Sequence, residues 1–321
     1  MKKYYAGIDI GGTSAKICMY SVDGENDALE LKWSIPTNRE DGSGVILKSL
    51  ADTVNDKCTE YGIKMADISG IGIGIPGPVT EDGTVLGCAN LNFGIVPIRN
   101  IMAELTGIDN VVVGNDANVA ALGEMWKGGA RGFKDVIMVT LGTGVGGGLV
   151  LDGRIHVGSK GAAAEIGHMT VEPGEQDICG CGCRGCLEQY ASATGVVRLA
   201  RQGYDFHTGS VLYGKEEITA KDIFDAAKEN DAYALEVVDR FAKYLGLALS
   251  NIAAVVDPEV FLIGGGVSAA GDIIIDNVKD YYEMYSMKAL KGREIRLATL
   301  GNDAGIFGCV KMAIDGDICE V

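Results

Sequence analysis

The densest set of chemically active side chains in the sequence is a group of cysteines that follows a histidine. Cys179, Cys181, Cys183 and Cys186 are separated mainly by glycines, and His168 precedes them. Three thiolates and one imidazole at this spacing predict a tetrahedral zinc site with the ligands His168, Cys179, Cys181 and Cys186. We expect Cys183 to be surplus and the zinc to be structural, since four protein ligands leave no open position. Disulfides or free thiols are the alternatives, but cysteines two residues apart bridge badly.

Two stretches of the chain share one plan, in which a glycine-threonine turn joins two apolar strands. The turns and their predicted strands are Gly11-Gly12-Thr13 between Tyr4–Ile10 and Ala15–Tyr20, and Gly142-Thr143-Gly144 between Val136–Leu141 and Val145–Leu151. Backbone N–H groups and hydroxyls in such turns suit phosphate oxygens, whereas each turn taken alone is also compatible with a tight hairpin without a ligand. The pair predicts a duplicated domain that holds a nucleotide's phosphate chain from both sides.

A third glycine turn, Gly264-Gly265-Gly266, follows the apolar run Val260–Ile263. Glycines lack a Cβ, so this turn would let a base or ribose approach the backbone closely.

Asp116 follows Asn115 where the predicted strand Val111–Val113 gives way to a helix. A carboxylate at such a position is often only a helix N-cap. Because phosphate-binding turns are predicted in the same protein, we expect Asp116 to act as the general base that accepts the proton of an alcohol during phosphoryl transfer.

Two glutamates lie next to the predicted zinc ligands. Glu165 precedes His168 and Glu188 follows Cys186. A carboxylate can accept hydrogen bonds from two neighbouring hydroxyls, so a rigid loop that carries both acids predicts a polyol pocket. Two solvated surface acids are the alternative.

The bulk composition describes a globular protein with acidic character. The chain has 321 residues, 47% hydrophobic and 22% charged, and a formal net charge of −16. This charge opposes nucleic acid, and the sequence contains neither a signal-peptide core nor a long uncharged span, so we expect a cytoplasmic protein. The scattered cysteines predict small core residues in a reducing compartment; they are Cys18, Cys58, Cys88, Cys309 and Cys319.

Strand and helix patterns alternate along the chain, which predicts an α/β fold with largely parallel sheets and two lobes around a ligand cleft. Besides the hairpins, strands are predicted at Ile71–Ile75, Val111–Val113, Val260–Ile263 and Ile295–Leu300. Helices are predicted from Val45 up to Tyr61-Gly62, after the third glycine turn up to Val278, and at 97–105, 119–126, 191–202, 220–228, 232–256 and 305–314.

At these motifs the sequence closely resembles the ROK family of sugar kinases and repressors, within the superfamily of sugar kinases, actin and Hsp70. Ile8–Thr13 resembles the family's first phosphate motif, Leu141–Gly148 its second and Ile263–Ser268 its adenosine motif. The zinc loop, with Glu165–His168 and Cys179–Gln189, resembles its most specific signature.

The resemblance implies a duplicated actin-like (ribonuclease H-like) ATPase fold and a kinase that uses ATP and Mg²⁺ to phosphorylate the 6-hydroxyl of a hexose. It implies that Asp116 is the base and that Asp9 holds Mg²⁺. The implied sugar ligands are Gly77, Asn90, Asn115, Asp116, Glu165, His168 and Glu188. The implied nucleotide ligands are Asp9, Gly11, Gly12, Thr13, Lys16, Gly142, Thr143, Gly144, Gly264, Gly265 and Gly266.

The lobes implied by the resemblance are residues 1–115 with about 303–321, and residues 116–302. Glucose is the expected hexose, and fructose, N-acetylmannosamine and N-acetylglucosamine are alternatives. A sugar-responsive repressor is the alternative of another class, disfavoured because Asp9 follows so soon after Met1, with no helix-turn-helix before it. Related kinases are commonly homodimers or homotetramers.

Overall fold

A computed structural model describes residues 2–24, 26–88 and 90–316 of the chain. Cys319, expected in the core, lies outside the described residues. The chain forms two compact units: unit 1 comprises Met1–Lys134, Gly148–Ala163 and Asn302–Val321, and unit 2 comprises Asp135–Gly147 and Ala164–Gly301.

Twelve strands are found in the described residues. They are β1 (Lys3–Ile10), β2 (Ser14–Val22), β3 (Ala28–Pro36), β4 (Ile68–Ile75), β5 (Thr84–Val85), β6 (Val96–Pro97), β7 (Val111–Asn115), β8 (Val136–Leu141), β9 (Val145–Leu151), β10 (Arg154–Ile155), β11 (Val260–Gly264) and β12 (Glu294–Leu297).

Nine α-helices are found in the same residues. They are α1 (Gly42–Glu60), α2 (Ile98–Thr106), α3 (Asp116–Lys127), α4 (Glu188–Ala191), α5 (Ala193–Gly203), α6 (Ala220–Lys228), α7 (Ala232–Val256), α8 (Asp272–Tyr285) and α9 (Ala304–Asp315).

Both predicted hairpins are confirmed, and the predicted helices are confirmed to within a few residues, except that α8 continues to Tyr285 beyond the predicted end at Val278. The last predicted strand is too long, because β12 ends at Leu297. Strand β3 was not predicted, although Leu31, Trp33 and Ile35 alternate with polar residues as in a half-buried strand.

The two large sheets have the same topology. Their strand orders are β3-β2-β1-β4-β7 and β10-β9-β8-β11-β12. When the strands of each sheet are numbered along the chain within that sheet, both orders are 3-2-1-4-5. Strand β1 pairs antiparallel with β2 but parallel with β4. The predicted hairpin supplies the antiparallel half of the first sheet, where β3 also pairs antiparallel with β2. The expectation of largely parallel sheets holds only for the other half, β1, β4 and β7.

The first sheet in unit 1 is packed on both faces. Alternate residues of a strand point to opposite faces; Ala6 and Ile8 of β1 belong to a core that includes Leu47 and Leu50 of α1. Tyr5, on the other face, packs in a cluster with residues of α9. The ends of β1, β4 and β7 are thus held by helices on either side.

Helix α9 lies unusually close to this sheet and to α3. A Cβ added to Gly72 would lie 1.8 Å from the carbonyl oxygen of Cys309, and one added to Gly7 would lie 2.6 Å from that of Ile306. At Gly308 an added Cβ would lie 1.8 Å from the carbonyl oxygen of Val119 on α3. Glycine at these positions permits the close backbone approach. The last helix therefore packs in unit 1, beside the first strand.

The compact units and the implied lobes differ in two places. The implied lobes divide the chain after Asn115, whereas unit 1 continues to Lys134 and also contains Gly148–Ala163. The physical reason is the packing of α3 on α9, described above, which keeps α3 with the N-terminal sheet.

In unit 2 strand β11 pairs in parallel with both β8 and β12. Helix α7 is its longest helix, and Gly246 lets α8 approach, since a Cβ there would lie 2.9 Å from the carbonyl oxygen of Val278. None of the helices in the described residues is both long enough and apolar enough to cross a membrane.

Candidate active site

Asp9 lies near the end of β1, directly opposite Lys16 of β2. Burial raises the pKa of Asp9 to about 6; the charge of Asp116 also raises it, and that of Lys16 lowers it. A Cβ added to Gly305, in the first turn of α9, would lie 2.5 Å from Asp9 Oδ2. In unit 1 the largely buried carboxylate of Asp9 therefore lies against Gly305, a residue without a side chain in the first turn of α9.

Asp116 is the first residue of α3, and Asn115 is its N-cap. Asn115 Oδ1 accepts hydrogen bonds from the N–H groups of Ala117 (3.0 Å) and Asn118 (3.2 Å). The capping role considered for Asp116 thus belongs to Asn115, although Asp116 Oδ1 also accepts from Ala117 N at 2.9 Å. Asn115 Nδ2 donates to the carbonyl oxygen of Gly77 at 3.1 Å. Gly77, Asn115 and Asp116, predicted separately, are brought together.

The first glycine-threonine turn is fixed by Thr37, a residue that the sequence analysis missed. Thr37 Oγ1 donates to the carbonyl oxygen of Gly11 at 2.7 Å, and Thr37 N donates to that of Thr13 at 3.0 Å. A Cβ added to Gly12 would lie 3.5 Å from the backbone oxygen of Asn90. The predicted phosphate turn and the predicted sugar residue Asn90 are therefore neighbours within unit 1.

The second turn, in unit 2, is held by the residues around the start of α5. Gly142 N donates to the carbonyl oxygen of Gly144 at 2.9 Å, and the carbonyl oxygen of Gly142 accepts from Ala193 N at 2.8 Å. Thr194 Oγ1 donates to the carbonyl oxygen of Thr143 at 2.8 Å. The turn is thus attached to a helix N-terminus, where partial positive charge favours an anion.

Glu188, the first residue of α4, also contacts this turn. Its Oε2 accepts a hydrogen bond from Val145 N at 2.9 Å. A Cβ added to Gly144 would lie only 2.2 Å from the same oxygen. A residue predicted to bind sugar and a turn predicted to bind phosphate therefore touch directly.

A cavity of about 430 Å³ begins at the second turn. Its lining residues come from the turn, the α5 start, α6 and the segment after β11; they are Gly142, Thr143, Ala193, Ala220, Lys221, Phe224, Asp225, Gly266, Val267, Ala269 and Ala270. The lining is mainly apolar, as a planar base requires. Helix α6 was not predicted to take part.

The three glycines of the third turn have different surroundings. A Cβ added to Gly265, which has φ +81°, would lie 2.5 Å from the carbonyl oxygen of Leu141, and one added to Gly264 would lie 2.8 Å from Met138 Cε. At Gly266 an added Cβ meets no atom within 4 Å. Gly264 and Gly265 thus pack against β8, and Gly266 is the glycine that faces the cavity.

The predicted zinc ligands form one cluster. The ligand atoms of His168, Cys179, Cys181 and Cys186 all lie within 4.8 Å of one another. His168 Nδ1 lies 3.8 Å from Cys179 Sγ, and the sulfurs of Cys181 and Cys186 are 3.6 Å apart. These separations match the edges of a tetrahedron around an ion with bonds of about 2.0–2.3 Å. Cys183 is exposed and is not one of the four.

Glu165 and His168 lie in a segment that packs on the start of β9. A Cβ added to Gly167 would lie 2.1 Å from the carbonyl oxygen of Val145. Ala164 has φ +64°, a left-handed backbone that is uncommon for a non-glycine residue and tends to mark functional sites. Glu165 is exposed.

The predicted site residues therefore fall into two groups, one in each unit. Unit 1 contains Asp9, Gly11, Gly12, Thr13, Lys16, Gly77, Asn90, Asn115 and Asp116. Unit 2 contains Gly142, Thr143, Gly144, Glu165, His168, Cys179, Cys181, Cys186, Glu188, Gly264, Gly265 and Gly266.

Comparisons with known proteins agree with this set of motifs. The profile of the ROK family matches residues 5–315 of the chain. The chain belongs to the ROK family.

Among members of the ROK family, the chain is 45% identical to a glucokinase of Halalkalibacterium halodurans over 95% of this chain and 93% of that protein. Its structure is similar to a ROK hexokinase from Thermus thermophilus, with 33% identity, a TM-score of 0.79 and coverage of 97% of each chain. It is also similar to a ROK family glucokinase from Streptomyces griseus in complex with glucose and AMPPNP, with 32% identity, a TM-score of 0.74 and coverage of 97% of this chain and 99% of that one.

Proposed function

We propose that the protein is an ATP-dependent hexose kinase that transfers the γ-phosphoryl group of ATP to the 6-hydroxyl of glucose. Membership of the ROK family and the similarity to glucokinases over nearly the whole chain support this function. The structural observation that carries it is the strand register of unit 1, which places Asp9, Gly74 and Gly114 side by side. Gly114 directly precedes Asn115, which caps the helix that begins with Asp116.

Asp116 is the proposed base. In the reaction the 6-oxygen of the sugar forms a bond to the γ-phosphorus, the bond between that phosphorus and the β,γ-bridging oxygen breaks, and ADP leaves. The hydroxyl proton passes to the Asp116 carboxylate. Little covalent chemistry is required of the protein, so positioning and charge supply most of the rate.

Asp9 is the proposed carboxylate for Mg²⁺, which when bound neutralises charge on the phosphates. Its oxygen chemistry fits, because Mg²⁺ prefers carboxylate ligands and water. Burial disfavours the ionised form of Asp9 in the protein alone, and a cation at this position would offset that cost.

The nucleotide is proposed to bind with its base in the cavity of unit 2 and its phosphates at Gly142, Thr143 and Gly144, with Gly12, Thr13 and Lys16 as the contribution of unit 1. The support is the continuity of the cavity with the second turn, since Gly142 and Thr143 line it. The attachment of this turn to the start of α5 adds favourable dipoles for an anion.

The sugar is proposed to bind to Asn90 and Asn115 of unit 1 and to Glu165, His168 and Glu188 of unit 2. His168 Nδ1 faces Cys179, so its Nε2 is the nitrogen available to a sugar hydroxyl. Zinc is proposed as the ion that holds the cluster of four ligands and thereby orients His168 and Glu188. Glucose is favoured by the relatives, and fructose and N-acetylated hexosamines are the alternatives.

The test is a coupled assay of ADP formation with Mg²⁺ and ATP across glucose, fructose, mannose, N-acetylglucosamine and N-acetylmannosamine. We expect the largest kcat/KM with glucose. No turnover of any hexose by well-folded protein would overturn the proposal, and a larger kcat/KM with another hexose would reassign the substrate within it.

A further inference from the structure

The contact between Glu188 and the second glycine turn implies that this turn does more than bind phosphate. We propose that the turn Gly142–Gly144 is a positioning element of the sugar site, because it holds the carboxylate of Glu188. This inference rests on the proposed function, in which Glu188 receives the sugar, and adds a role for Gly144 and for the N–H of Val145.

Glu188 is fixed both at its backbone and at the end of its side chain. Cys186 N donates to Gln189 Oε1 at 3.0 Å, and the carbonyl oxygen of Glu188 accepts from Ser192 Oγ at 2.7 Å. Its backbone is therefore fixed between the cysteine cluster and the N-cap of α5. Its side chain is longer and is fixed at its far end by the hydrogen bond from Val145 N to Oε2.

The two oxygens of the Glu188 carboxylate have different partners. A carboxylate offers two acceptor oxygens, and a bond that holds one of them orients the other. Oε2 accepts from Val145 N, and within the described residues Oε1 accepts no hydrogen bond from the protein. Oε1 is thus presented in a fixed direction for a hydroxyl of the ligand.

Gly144 lies against the carboxylate of Glu188. A Cβ at this residue would lie 2.2 Å from Oε2 and 3.1 Å from Cδ of Glu188, and its backbone φ lies outside the range that only glycine adopts easily. The need for glycine at 144 therefore comes from the glutamate rather than from the backbone. Because the atom that clashes is the end of a flexible side chain, an alanine here would displace the carboxylate and leave the fold intact.

Gly209, an exposed glycine of unit 2 outside the predicted site, is the control. A Cβ added to Gly209 would meet no atom within 4 Å. The same change from glycine to alanine is thus expected to alter sugar binding at Gly144 and not at Gly209.

The experiment measures glucose affinity by calorimetry without nucleotide for the full chain and for the variants Gly144→Ala and Gly209→Ala. Loss of an oriented, charge-assisted hydrogen bond is expected to weaken glucose binding by Gly144→Ala about 10-fold or more. Gly209→Ala is expected to keep the wild-type glucose affinity to within about 2-fold, since it leaves Glu188 in place. Equal glucose affinities for the wild type and Gly144→Ala would overturn the inference.

A second measurement follows the amide of Val145 by hydrogen exchange, with Glu188→Gln and Glu188→Ala. In Glu188→Gln the side-chain oxygen can still accept a hydrogen bond from Val145 N, so the Val145 amide stays protected from exchange. In Glu188→Ala this acceptor is lost and the Val145 amide exchanges faster. We expect glucose to increase this protection in the wild type; protection that is unchanged by both the sugar and Glu188→Ala would contradict the inference. If wild-type protein neither binds nor phosphorylates any hexose, the proposed function itself fails. If the wild type turns over glucose but Gly144→Ala binds glucose normally, only the inference about the turn fails.

Discussion

Asn115 Nδ2 donates a hydrogen bond to the carbonyl oxygen of Gly77, while Oδ1 of the same side chain caps α3. Gly77 has φ +102°, and a Cβ on it would lie 2.2 Å from the carbonyl oxygen of Gly87. One amide therefore joins the turn after β4 to the helix that begins with Asp116. The orientation of Asp116, the proposed base, therefore depends on Asn115, which takes no part in the proton transfer.

The two functions of Asn115 are separable by substitution. Asn115→Ser retains a capping oxygen but loses the donor to Gly77, and Asn115→Ala loses both. We expect each loss to lower the free energy of unfolding by about 1 kcal/mol, in the order wild type, serine, alanine. Denaturant unfolding at pH 7 measures this order, and equal values for serine and alanine would show that the cap contributes nothing.

Substitution of the proposed base tests the chemistry without removing the cap. Asp116→Asn keeps the size of the side chain, and Asn115 still caps the helix. Because the amide cannot accept the hydroxyl proton, we expect kcat to fall by about 10²- to 10⁴-fold while glucose affinity changes little.

A matched control for this variant is Asp109→Asn, an exposed carboxylate just before β7. It is expected to leave kcat and glucose affinity as in the wild type. Single-turnover rates separate the chemical step from product release, and a near-normal rate for Asp116→Asn would eliminate the assignment of the base.

Asp9 is expected to make stability depend on pH in an identifiable direction. Its pKa is raised from 3.8 to about 6, first by burial and then by Asp116, against the effect of Lys16. A carboxyl group whose pKa is higher in the folded protein binds protons more tightly there. Its stabilising contribution is therefore complete below pH 3.8 and is lost as the pH rises through about 6.

The Asp9→Asn variant removes this titration. We compare the free energy of unfolding of Asp9→Asn with that of the wild type, both without Mg²⁺ or nucleotide. We expect the variant's advantage over the wild type to be larger at pH 8 than at pH 4, by up to about 3 kcal/mol for a shift of this size. Denaturant unfolding of both proteins between pH 4 and 8 gives the difference directly. A difference that does not change with pH would contradict the raised pKa, and turnover should be lost in the variant at every pH.

The local motifs were predictable because short-range rules define them. The hairpin around Gly11-Gly12-Thr13 follows from alternating apolar residues and a glycine turn, and the spacing of Cys179, Cys181 and Cys186 brings these ligands together within one loop. Each signal depends on residues close together in the chain. The same holds for the helices, whose apolar spacing is local.

The relationships that position the site join distant parts of the chain, and no local pattern encodes them. Gly305 meets Asp9, and Glu188 meets Gly144 and Val145. Glycines inside the predicted strands, such as Gly72, were a signal of close backbone approach, but the sequence does not name the partner. Strand β3 did carry a local signal that was missed, because Leu31, Trp33 and Ile35 alternate with polar residues and pack against the core.

The proposed zinc site has a control residue inside its own loop. Cys181→Ser removes one of the four clustered ligands, whereas Cys183→Ser removes an exposed thiol outside the cluster. For protein purified without added zinc we expect about one ion per chain in the wild type and Cys183→Ser, and a large loss in Cys181→Ser. Metal analysis by mass spectrometry measures the content. Equal zinc in both variants, or none in active wild-type protein, would refute this ligand set.

The third glycine turn offers a neighbouring pair of substitutions with opposite consequences. Gly265→Ala places a Cβ 2.5 Å from the carbonyl oxygen of Leu141 at a residue with φ +81°, so we expect a loss of stability of more than about 1 kcal/mol. Gly266→Leu meets no protein atom within 4 Å of its Cβ but fills part of the cavity.

For Gly266→Leu we therefore expect wild-type stability, a KM for ATP raised about 10-fold or more by exclusion of the base, and an unchanged KM for glucose. Thermal unfolding and initial rates at varied ATP and glucose distinguish the two variants. An unchanged KM for ATP in Gly266→Leu would place the base elsewhere than this cavity. A stable Gly265→Ala would show that β8 can move away from the turn, since otherwise the backbone oxygen of Leu141 leaves no space for a methyl group.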